Sequence, residues 1–487
     1  MVNPLYILVS LVFFALLILF VQRFSKYFAL LATAFNFYLS INILIAALKK
    51  PLLVNLGGWK VPFCISLFAS PLSAALVLLV SLVGFCAVVF SFSYIEEERN
   101  RYYALLLLLL AGSSGVVLAA DIFNMFVFFE ILCISSYALV AYQRKADSFE
   151  AAFKYLVQGS VGSSFILIAI AIIYGLFGTL NLAHIARHIS FPLTFSLKVA
   201  LALLVAGFGV EAAIFPFNFW LPDAHPAAPS PVSAVLSGLA IKVGLYAVLR
   251  LIFTIFGYPG VFLPLLFLAL FTFVVGEFAA LAQGNLKRML AYSSMGQIGL
   301  IAAVMSFGSV YTFTAGFLQI FNHALAKSVL FLASGVFFYQ GHSLEISDLK
   351  GAGRKNVLVG AAFAAGIFSL VGLPPFLGFF SKLAILVSLF RTQGTLVLAY
   401  IFIFLIVILT AVEAAYFLRV LGVLYQKPAV FSAASGGKKM ALMQIPVVFL
   451  GLLLLGLGLF PQIVQKIAYF AASSLLNKAA YIKFILG

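Results

Sequence analysis

Charged residues are scarce in this chain. Of its 487 residues, 9% are charged, 13 are Asp or Glu, and 65% are hydrophobic. The mean hydropathy of +1.20 is far above that of a soluble domain of this length. The composition therefore excludes a water-soluble globular protein and predicts an all-α polytopic membrane protein.

Cysteine is also rare, and its residues stand alone in apolar surroundings, at Cys64, Cys86 and Cys133. None has the paired spacing used by zinc sites, iron–sulfur clusters or redox dithiols, so we interpret them as small buried hydrophobic residues. The sequence also lacks a GxGxxG turn after a strand and any soluble domain. We therefore expect no cofactor, no metal and no redox site of its own.

The net charge of +16 comes from basic residues that occur singly or in small groups beside the apolar segments. Nucleic-acid binding requires a dense basic patch, which this pattern does not provide. We expect lipid headgroups, and no nucleic acid, as partners of these side chains.

Apolar segments of spanning length recur along the chain. About fourteen can be counted at roughly twenty residues per crossing. The first, Leu5 to Val21, is followed by Arg23 and Lys26, which predicts a transmembrane helix and not a cleaved signal peptide. The segment after Pro461 carries lysines among apolar residues, which predicts an interfacial amphipathic helix or a simple capping segment.

Basic residues in alternate loops indicate the orientation. By the positive-inside rule, the more basic set of loops is cytoplasmic, so both termini are expected outside a prokaryotic cell membrane. The other set of loops is sparser and includes Arg250. The more basic set consists of Arg23, Lys26, Arg99, Arg101, Arg144, Lys145, Lys154, Lys287, Arg288, Lys350, Arg354, Lys355, Lys427, Lys438 and Lys439.

Two of the apolar segments are interrupted by proline, one between Gly207 and Leu221 and the other between Leu370 and Lys382. Proline inside a helix frees a backbone carbonyl, which survives in a membrane only within protein or beside water. A pair of broken helices predicts a transporter built from inverted repeats. The alternative is two ordinary kinks that face lipid.

Several ionisable side chains lie deep within apolar segments. Each costs about 2.5 to 3.5 kcal/mol at a helix centre, so together they must pair, exchange protons or contact water. We interpret them as a proton relay that hydroxyl groups or water bridge. They are Glu130, Glu211, Glu277, Glu413, Lys242, His323, Lys327 and Lys382.

For some of these residues a structural role is an open alternative. Glu277 and Glu413 could pair with Arg419, with Arg250 or with helix ends, and His323 could be a satisfied core histidine. His323 and Lys327 are four residues apart and so share one helical face.

The surroundings of these residues resemble the antiporter-like subunits shared by respiratory complex I, Mrp-type Na+/H+ antiporters and energy-converting membrane-bound hydrogenases. The matching stretches include DIFNMFVFFEILCISSYALVAY, FPFNFWLPDAHPAAPSPVSAVLSGLAIKVGLYAVLR, LKRMLAYSSMGQIGL, FNHALAKSVLFLASG and GLPPFLGFFSKLAIL. They run from about Asp121 to Lys382, and their combined order is highly specific. The segment SPVSAVLSG is most similar to Mrp and archaeal hydrogenase relatives. The length of the chain is most similar to that of the Mrp-D-like type.

The resemblance implies two inverted five-helix repeats with a broken helix in each. It places Glu130 as the fifth-helix glutamate, Lys242 as the eighth-helix lysine, His323 on the eleventh helix and Lys382 as the charged residue of the twelfth. The implied divisions are helices 1–3 in residues 1–102, the repeats in 103–254 and 255–424, and the last helix with an amphipathic tail in 425–487.

One position departs from the family pattern. Most relatives have a lysine on the seventh helix just before its break, and this chain has Glu211. Glu130 would then face a second carboxylate, unless Lys242 becomes its partner. Two such carboxylates could share a proton, or could bind Na+ together with backbone carbonyls.

The leading hypothesis is therefore a proton- or sodium-translocating subunit of a multisubunit membrane complex. Ion movement along Glu130, Glu211, Lys242, His323, Lys327, Lys382 and Glu413 would be driven by redox chemistry in partner subunits or by a counter-ion gradient. The alternatives are a scaffold whose ion path Glu211 has inactivated, and a self-sufficient solute carrier, for which the sequence shows no polar pocket.

Overall fold

The computed structural model describes residues 2–257, 262–391, 396–427 and 438–487 and is almost entirely helical. Its first part contains α1 (Leu5–Phe20), α2 (Ser25–Lys49), β1 (Leu52–Leu56), β2 (Ile65–Ala69), α3 (Pro71–Tyr94), α4 (Arg99–Leu118), α5 (Ile122–Val140), α6 (Ala146–Phe177), α7 (Leu182–His188), α8 (Phe195–Glu211), α9 (Leu221–Ala227), α10 (Ser230–Val235) and α11 (Ile241–Leu249). Two π-helical segments, Leu236–Ala240 and Arg250–Phe256, extend α10 and α11 into one long helix.

The second part continues with α12 (Phe262–Leu281), α13 (Leu286–Ser306), α14 (Val310–Gly341), α15 (Ala352–Lys355), α16 (Val357–Val371), α17 (Leu377–Phe390), α18 (Leu396–Leu424), α19 (Lys438–Leu459), α20 (Pro461–Leu476) and α21 (Lys478–Leu486). Short 3-10 turns lie at Gln22–Phe24, Ala141–Gln143 and Ile346–Leu349.

The helices confirm a polytopic membrane protein. Within the described residues, 11 helices are long and apolar enough to cross a membrane, or up to 12 if the pair Ile346–Lys355 and Val357–Val371, bent by 118°, is one span. The apolar helices α1 and α17 are shorter than this criterion. The number of about fourteen spans therefore stays a prediction.

The centre of the bundle is formed by α13 and α14. Their apolar stretches are 94% and 100% buried, whereas those of α6 and α18 are 28% buried and so lie at the lipid-facing surface. Any polar side chain on the inner face of α13 or α14 is consequently enclosed by protein. This position explains why the ionisable residues of α14 need partners from other helices.

Both predicted breaks are present. At the first, α8 ends at Glu211, and the buried residues Ala212, Ala213 and Ile214 leave the helix. The carbonyl of Val210 accepts hydrogen bonds from the Ala213 N–H at 3.1 Å and from the Trp220 indole at 2.8 Å. The start of this break is thus enclosed by protein, whereas Pro216 and Phe219 after it are exposed.

The second break separates α16 from α17. The Gly378 N–H donates to the Ser369 hydroxyl at 3.2 Å, and the Lys382 ammonium reaches the Val371 carbonyl at 3.3 Å. Leu373 is 43% exposed on the opposite side. The break therefore presents polar backbone to the protein interior and apolar side chains outward.

The two halves of the chain share a local arrangement. Asp121, at the start of α5, pairs its backbone with Asn181, and Asn285, at the start of α13, pairs with Glu345. The helices that precede Asn181 and Glu345, α6 and α14, are both 32 residues long. This correspondence is what a repeated structural unit would produce.

Two basic residues interpreted as loop orientation signals lie inside the protein. Lys287, in the first turn of α13, is 2% exposed and donates to the Ala228 carbonyl at 2.7 Å. Arg250 is 3% exposed and donates to the Ala119 carbonyl at 2.7 Å and to Tyr481 of α21 at 3.3 Å. Their interpretation as loop residues was wrong, because both lie within helices and their side chains turn inward to backbone carbonyls.

The segment after Pro461 is helical, as predicted, and packs against the bundle. Its helix α20 contacts α3 and α14 and buries Val464, Ala468 and Leu475. The antiparallel hairpin β1–β2 pairs Leu52 with Ala69. Both elements cover the ends of core helices.

Candidate functional site

An ion pair between α17 and α18 lies in the second half. The Lys382 ammonium is 2.7 Å from Glu413 Oε2, and Glu413 is 1% exposed. Lys382 also donates to Thr410 Oγ1 at 3.3 Å. A pair so enclosed holds two charges that neither solvent nor lipid can stabilise, so each charge depends on the other.

A second carboxyl group lies beside this pair. Glu277 of α12 is fully buried, and its Oε2 accepts a hydrogen bond of 2.9 Å from the Tyr416 hydroxyl. The Tyr416 oxygen also lies 2.8 Å from Ser293 Oγ. Glu277 Oε1 has no hydrogen-bond partner among the described residues. Glu277 and Glu413 are close enough to act on each other electrostatically.

Side-chain amides extend this cluster toward the centre of the bundle. Gln297 of α13 donates to Glu413 Oε1 at 2.8 Å and accepts from Gln319 of α14 at 2.6 Å. Gln319 in turn accepts from Ser381 of α17 at 2.5 Å. The hydrogen bonds thus link four helices, α13, α14, α17 and α18, into one buried polar network.

The two ionisable residues of α14 lie near this network. Lys327 is fully buried, donates to the Leu290 carbonyl at 3.1 Å and is close enough to Glu413 and Glu277 for electrostatic interaction. His323 is also fully buried, and neither ring nitrogen has a partner among the described residues. No described residue therefore satisfies the His323 ring, as the interpretation of a satisfied core histidine would require.

Lys242 begins a new turn just after the π-helical segment Leu236–Ala240. Its ammonium donates to the Ser237 carbonyl, which the π turn leaves free, and the side chain is 2% exposed. The described chain places no carboxylate within ion-pair distance of Lys242. The charged groups that act on Lys242 and His323 include Lys327, so these three residues form one basic group.

Glu211 lies at the C-terminal end of α8, inside a cage of neutral side chains. The Tyr155 hydroxyl of α6 lies 2.9 and 2.8 Å from its two oxygens, and Cys133 Sγ of α5 is 3.6 Å from Oε2. Trp220 stacks on Tyr155 at 3.7 Å between ring centres. Glu211 is 1% exposed and makes no ion pair within the described ranges.

Glu130 is half-buried on α5 and accepts a hydrogen bond from Ser163 of α6. Both Glu130 and Glu211 are close enough to act on Cys133, which lies between them. Cys133 is thus a buried residue, as predicted, but it also contacts an ionisable group. The two carboxyl groups make no direct contact with each other.

The predicted row is therefore divided in two. One group contains Glu130 and Glu211 with the neutral donors Tyr155 and Cys133, and the other contains Lys242, His323, Lys327, Lys382 and Glu413. The suggestion that Lys242 becomes the partner of Glu130 is not realised in this conformation, because Lys242 makes no ion pair with any described carboxylate. Gly244 of α11, not Lys242, lies against the Glu211 backbone.

Of the structural partners considered for Glu277 and Glu413, which were Arg419, Arg250 and helix ends, the two arginines were wrong. Glu413 pairs with Lys382, and Arg419 instead donates to the Gln283 carbonyl at 2.8 Å. Tyr155, Tyr416 and Gln297 were missed because tyrosine and glutamine within apolar helices carry no net charge. In the sequence each of them appears only as a neutral polar residue within an apolar segment. Such a residue is a weaker indication of function than a charged residue in the same place.

No group of three or more His, Cys, Asp or Glu side chains in the described ranges is arranged to hold a metal ion.

Two family models match the chain. The model described as "NADH:quinone oxidoreductase/Mrp antiporter, TM" matches residues 119–411, which is more than half of the 487 residues. The model described as "NADH-Ubiquinone oxidoreductase (complex I), chain 5 N-terminus" matches residues 54–103.

Individual proteins agree with these models. The chain is 33% identical over 445 residues to NADH-quinone oxidoreductase subunit N of Desulforudis audaxviator, covering 87% of both chains. It is 29% identical over 351 residues to the D-type subunit of the Na+/H+ antiporter of Alkalihalophilus pseudofirmus, covering 71% of both. Its fold matches a chain of the membrane-bound sulfane sulfur reductase, an archaeal respiratory membrane complex, with a TM-score of 0.92, 32% identity and 99% coverage of both.

Proposed function

Because this chain belongs to the NADH:quinone oxidoreductase/Mrp antiporter transmembrane family, we propose that it translocates protons or sodium ions through its buried ionisable residues. It is an antiporter-like, multi-pass membrane subunit of the Mrp and complex I type. Its ion path would run along Glu130, Glu211, Lys242, His323, Lys327, Lys382 and Glu413, with Glu277 as an added member.

The main observation in support of this proposal is the buried Lys382–Glu413 ion pair, together with the polar and charged side chains next to it. Glu413 contacts Lys382 on one side and Gln297 on the other, and Lys327 acts on it from α14. A buried pair contributes little net stability, because desolvation of its charges offsets their attraction. Such a pair can open and close when a proton arrives nearby, which is how a relay step would proceed.

Protons are the ion that the second group favours. Lysine and histidine side chains carry protons, and the ammonium groups of Lys242 and Lys327, which lie near His323, repel metal cations. Beside these residues, the Tyr416 hydroxyl donates to Glu277 and the Gln297 amide donates to Glu413, which provides further groups for proton exchange. Sodium is the second candidate, and Glu130 with Glu211 is the place for it, since oxygen ligands without a lysine suit a hard cation.

The scaffold alternative is less well supported. An inactive path would not need to retain a fully buried Glu277 with a free carboxyl oxygen or a His323 with two free ring nitrogens. Each unsatisfied buried polar group costs about 1 to 3 kcal/mol. Use of these groups by water or protons accounts for their presence.

The wider setting is part of the proposal. Similar chains come from multisubunit membrane complexes, so we expect other membrane subunits as partners. The paired contacts Asp121–Asn181 and Asn285–Glu345 support the repeat divisions 103–254 and 255–424. Both termini would face the outer side of the cell membrane, and lipid headgroups would surround the basic loops. The driving force would be redox chemistry in partner subunits or a counter-ion gradient.

The test is ion transport by the assembled complex in proteoliposomes. Glu413→Gln removes the charge and keeps the hydrogen-bonding shape, so coupled transport should be lost while assembly is retained. An internal pH dye and radioactive sodium, measured in parallel, identify the ion. Normal transport of both ions by the assembled Glu413→Gln complex would overturn the proposal.

A further inference from the structure

A surface depression lies where the broken helix α8–α9 meets α6 and α13. Its volume is about 650 Å³, and Asp223, Lys154, Arg288 and Lys287 are among the residues that line it. Asp223 accepts from Lys154 at 2.9 Å and lies 3.4 Å from Arg288. We call this depression the vestibule. It is wide enough for water and is lined by charges of both signs.

Lys287 is the innermost charged residue of the vestibule. It lines the cavity and yet is only 2% exposed, because its ammonium turns inward to the Ala228 carbonyl at 2.7 Å. Ala228 follows α9 directly, so this contact joins the cavity to the broken helix. A proton that moves inward from the vestibule would therefore pass Lys287 last among the charged residues that line it.

His225, on α9, lies behind this contact. The ring is fully buried, stacks on Phe331 of α14 at 4.6 Å between ring centres, and has no partner for either nitrogen among the described residues. Buried polar groups are normally hydrogen-bonded, so a buried ring without partners needs an explanation. The backbone carbonyl of His225 is satisfied by Ser233 at 2.9 Å, so the ring itself is what lacks partners.

The position of His225 relative to the basic residues is specific. The charged groups that act on its ring are Lys287 toward the vestibule, and Lys327 and Lys242 in the second group of the ion path. His225 directly precedes Pro226 and Ala227, which line the vestibule, and its ring stacks on Phe331, one turn from Lys327 on α14, so the imidazole joins the cavity-lining segment to the helix of this buried lysine. No carboxylate in the described part of the chain takes this position.

From this arrangement we propose that His225 is the relay through which protons pass from the vestibule to Lys327. This inference rests on the proposed ion-translocating function and specifies one of its access routes. One ring nitrogen accepts a proton from water near Lys287, which gives the imidazolium. The other nitrogen then releases its proton through bridging water to the neutral amine of Lys327, and the ring is left neutral in its other tautomer. The unsatisfied nitrogens supply the polar partners that such water needs.

The test uses the assembled complex in proteoliposomes with an internal pH dye. His225→Phe keeps an aromatic ring against Phe331 and removes both nitrogens, so proton transport should fall about a hundredfold, the usual contribution of a positioned proton-transfer group. His188→Phe is the matched control, since His188 is exposed on α7 and should tolerate the change. Blue-native electrophoresis confirms assembly.

Chemical rescue distinguishes a relay from a structural role. In His225→Ala, the vacated volume borders the vestibule region, and added imidazole should restore a measurable part of transport. A purely structural residue would not respond to a soluble proton carrier. If the His225→Phe complex fails to assemble, the response of His225→Ala to imidazole still tests whether His225 is a proton relay.

The outcomes separate the two proposals. If Glu413→Gln abolishes transport while His225→Phe or His225→Ala transports normally, the vestibule route is wrong and the ion-translocating function stands. A slow His225→Ala that imidazole does not accelerate also overturns the relay. Normal transport by Glu413→Gln overturns the function on which the relay rests.

Discussion

The Lys382 ammonium and the Glu413 carboxylate meet at 2.7 Å, whereas Lys242 and Glu211 each lack an oppositely charged partner in the described chain. The two halves of the protein are thus in different electrostatic states. The second half holds a closed ion pair. In the first half, Lys242 is bound by a backbone carbonyl and Glu211 by a tyrosine hydroxyl, so both are available for a new pairing.

The Lys382–Glu413 ion pair predicts that stability can be recovered without recovering transport. Glu413→Leu leaves the Lys382 ammonium buried and unpaired, which should destabilise the complex by about 3 to 5 kcal/mol. The double variant Lys382→Met with Glu413→Leu should recover most of that loss, since two apolar side chains replace two buried charges. Transport should remain absent in both, measured beside thermal unfolding in detergent. A double variant no more stable than Glu413→Leu would contradict this account.

Glu211 predicts a different response, because its donors are neutral. Tyr155→Phe removes the hydroxyl that bridges both carboxylate oxygens, so transport should fall about tenfold or more if Glu211 exchanges protons during the cycle. Tyr174→Phe is the control, as Tyr174 lies on the same helix and is 54% exposed.

Substitutions at Glu211 itself complete that test. Glu211→Gln keeps an acceptor for Tyr155 and removes the ionisable group, so transport should fall in step with Tyr155→Phe. Glu211→Lys introduces the residue expected by family resemblance and should let Glu130 form an ion pair, which changes the rate. If transport is indifferent to both substitutions, the first half is a scaffold.

The sequence alone was sufficient to identify the buried charged residues of the second half as candidate site residues. Lys382 and Glu413 stand in long apolar runs, where an isolated charge is so costly that its position alone indicates use. Their pairing could not be predicted, because it depends on how α17 and α18 pack and which way each side chain turns. For the same reason the sequence did not show that Lys242 turns toward the Ser237 carbonyl, which is free only because of a π-helical segment.

The two incorrect assignments of basic residues to loops have a common physical cause. Lys287 and Arg250 lie near helix ends, where lysine and arginine usually reach water, and here they turn inward to the carbonyls of Ala228 and Ala119. Those carbonyls come from chain segments distant in sequence. A pattern based on neighbouring residues cannot register such contacts, although it located both broken helices from their prolines.

Asp121 predicts a pH dependence of stability. Burial raises the pKa of this carboxyl group from 3.8 to about 6, opposed by a hydrogen bond from the Asn124 backbone and by Arg250. Between these values the folded state holds a proton that the unfolded state has released, so stability falls as pH rises from about 4 to 6 and is constant above.

Asp121→Asn should remove this dependence. Asparagine also caps helices, so the contact with the Asn124 N–H is kept. The variant should be about 1 to 3 kcal/mol more stable than the native chain at pH 7 and equal to it near pH 4. Thermal unfolding at a series of pH values measures the difference. Asp147→Asn, at an exposed position, is the control and should follow the native pH profile.

The contact between α11 and the first break predicts that Gly244 cannot be enlarged. A Cβ atom at Gly244 would lie 2.6 Å from the Ala212 nitrogen and 3.0 Å from the Glu211 carbonyl carbon. Both are backbone atoms, so no side chain can rotate away, and Gly244→Ala should destabilise the complex by about 1 to 3 kcal/mol. It should also slow transport, because the peptide that orients Glu211 has to move. Gly175→Ala is the control, since a Cβ there meets nothing within 4 Å. Equal melting temperatures and transport rates for the two variants would show that the break is not held by this contact.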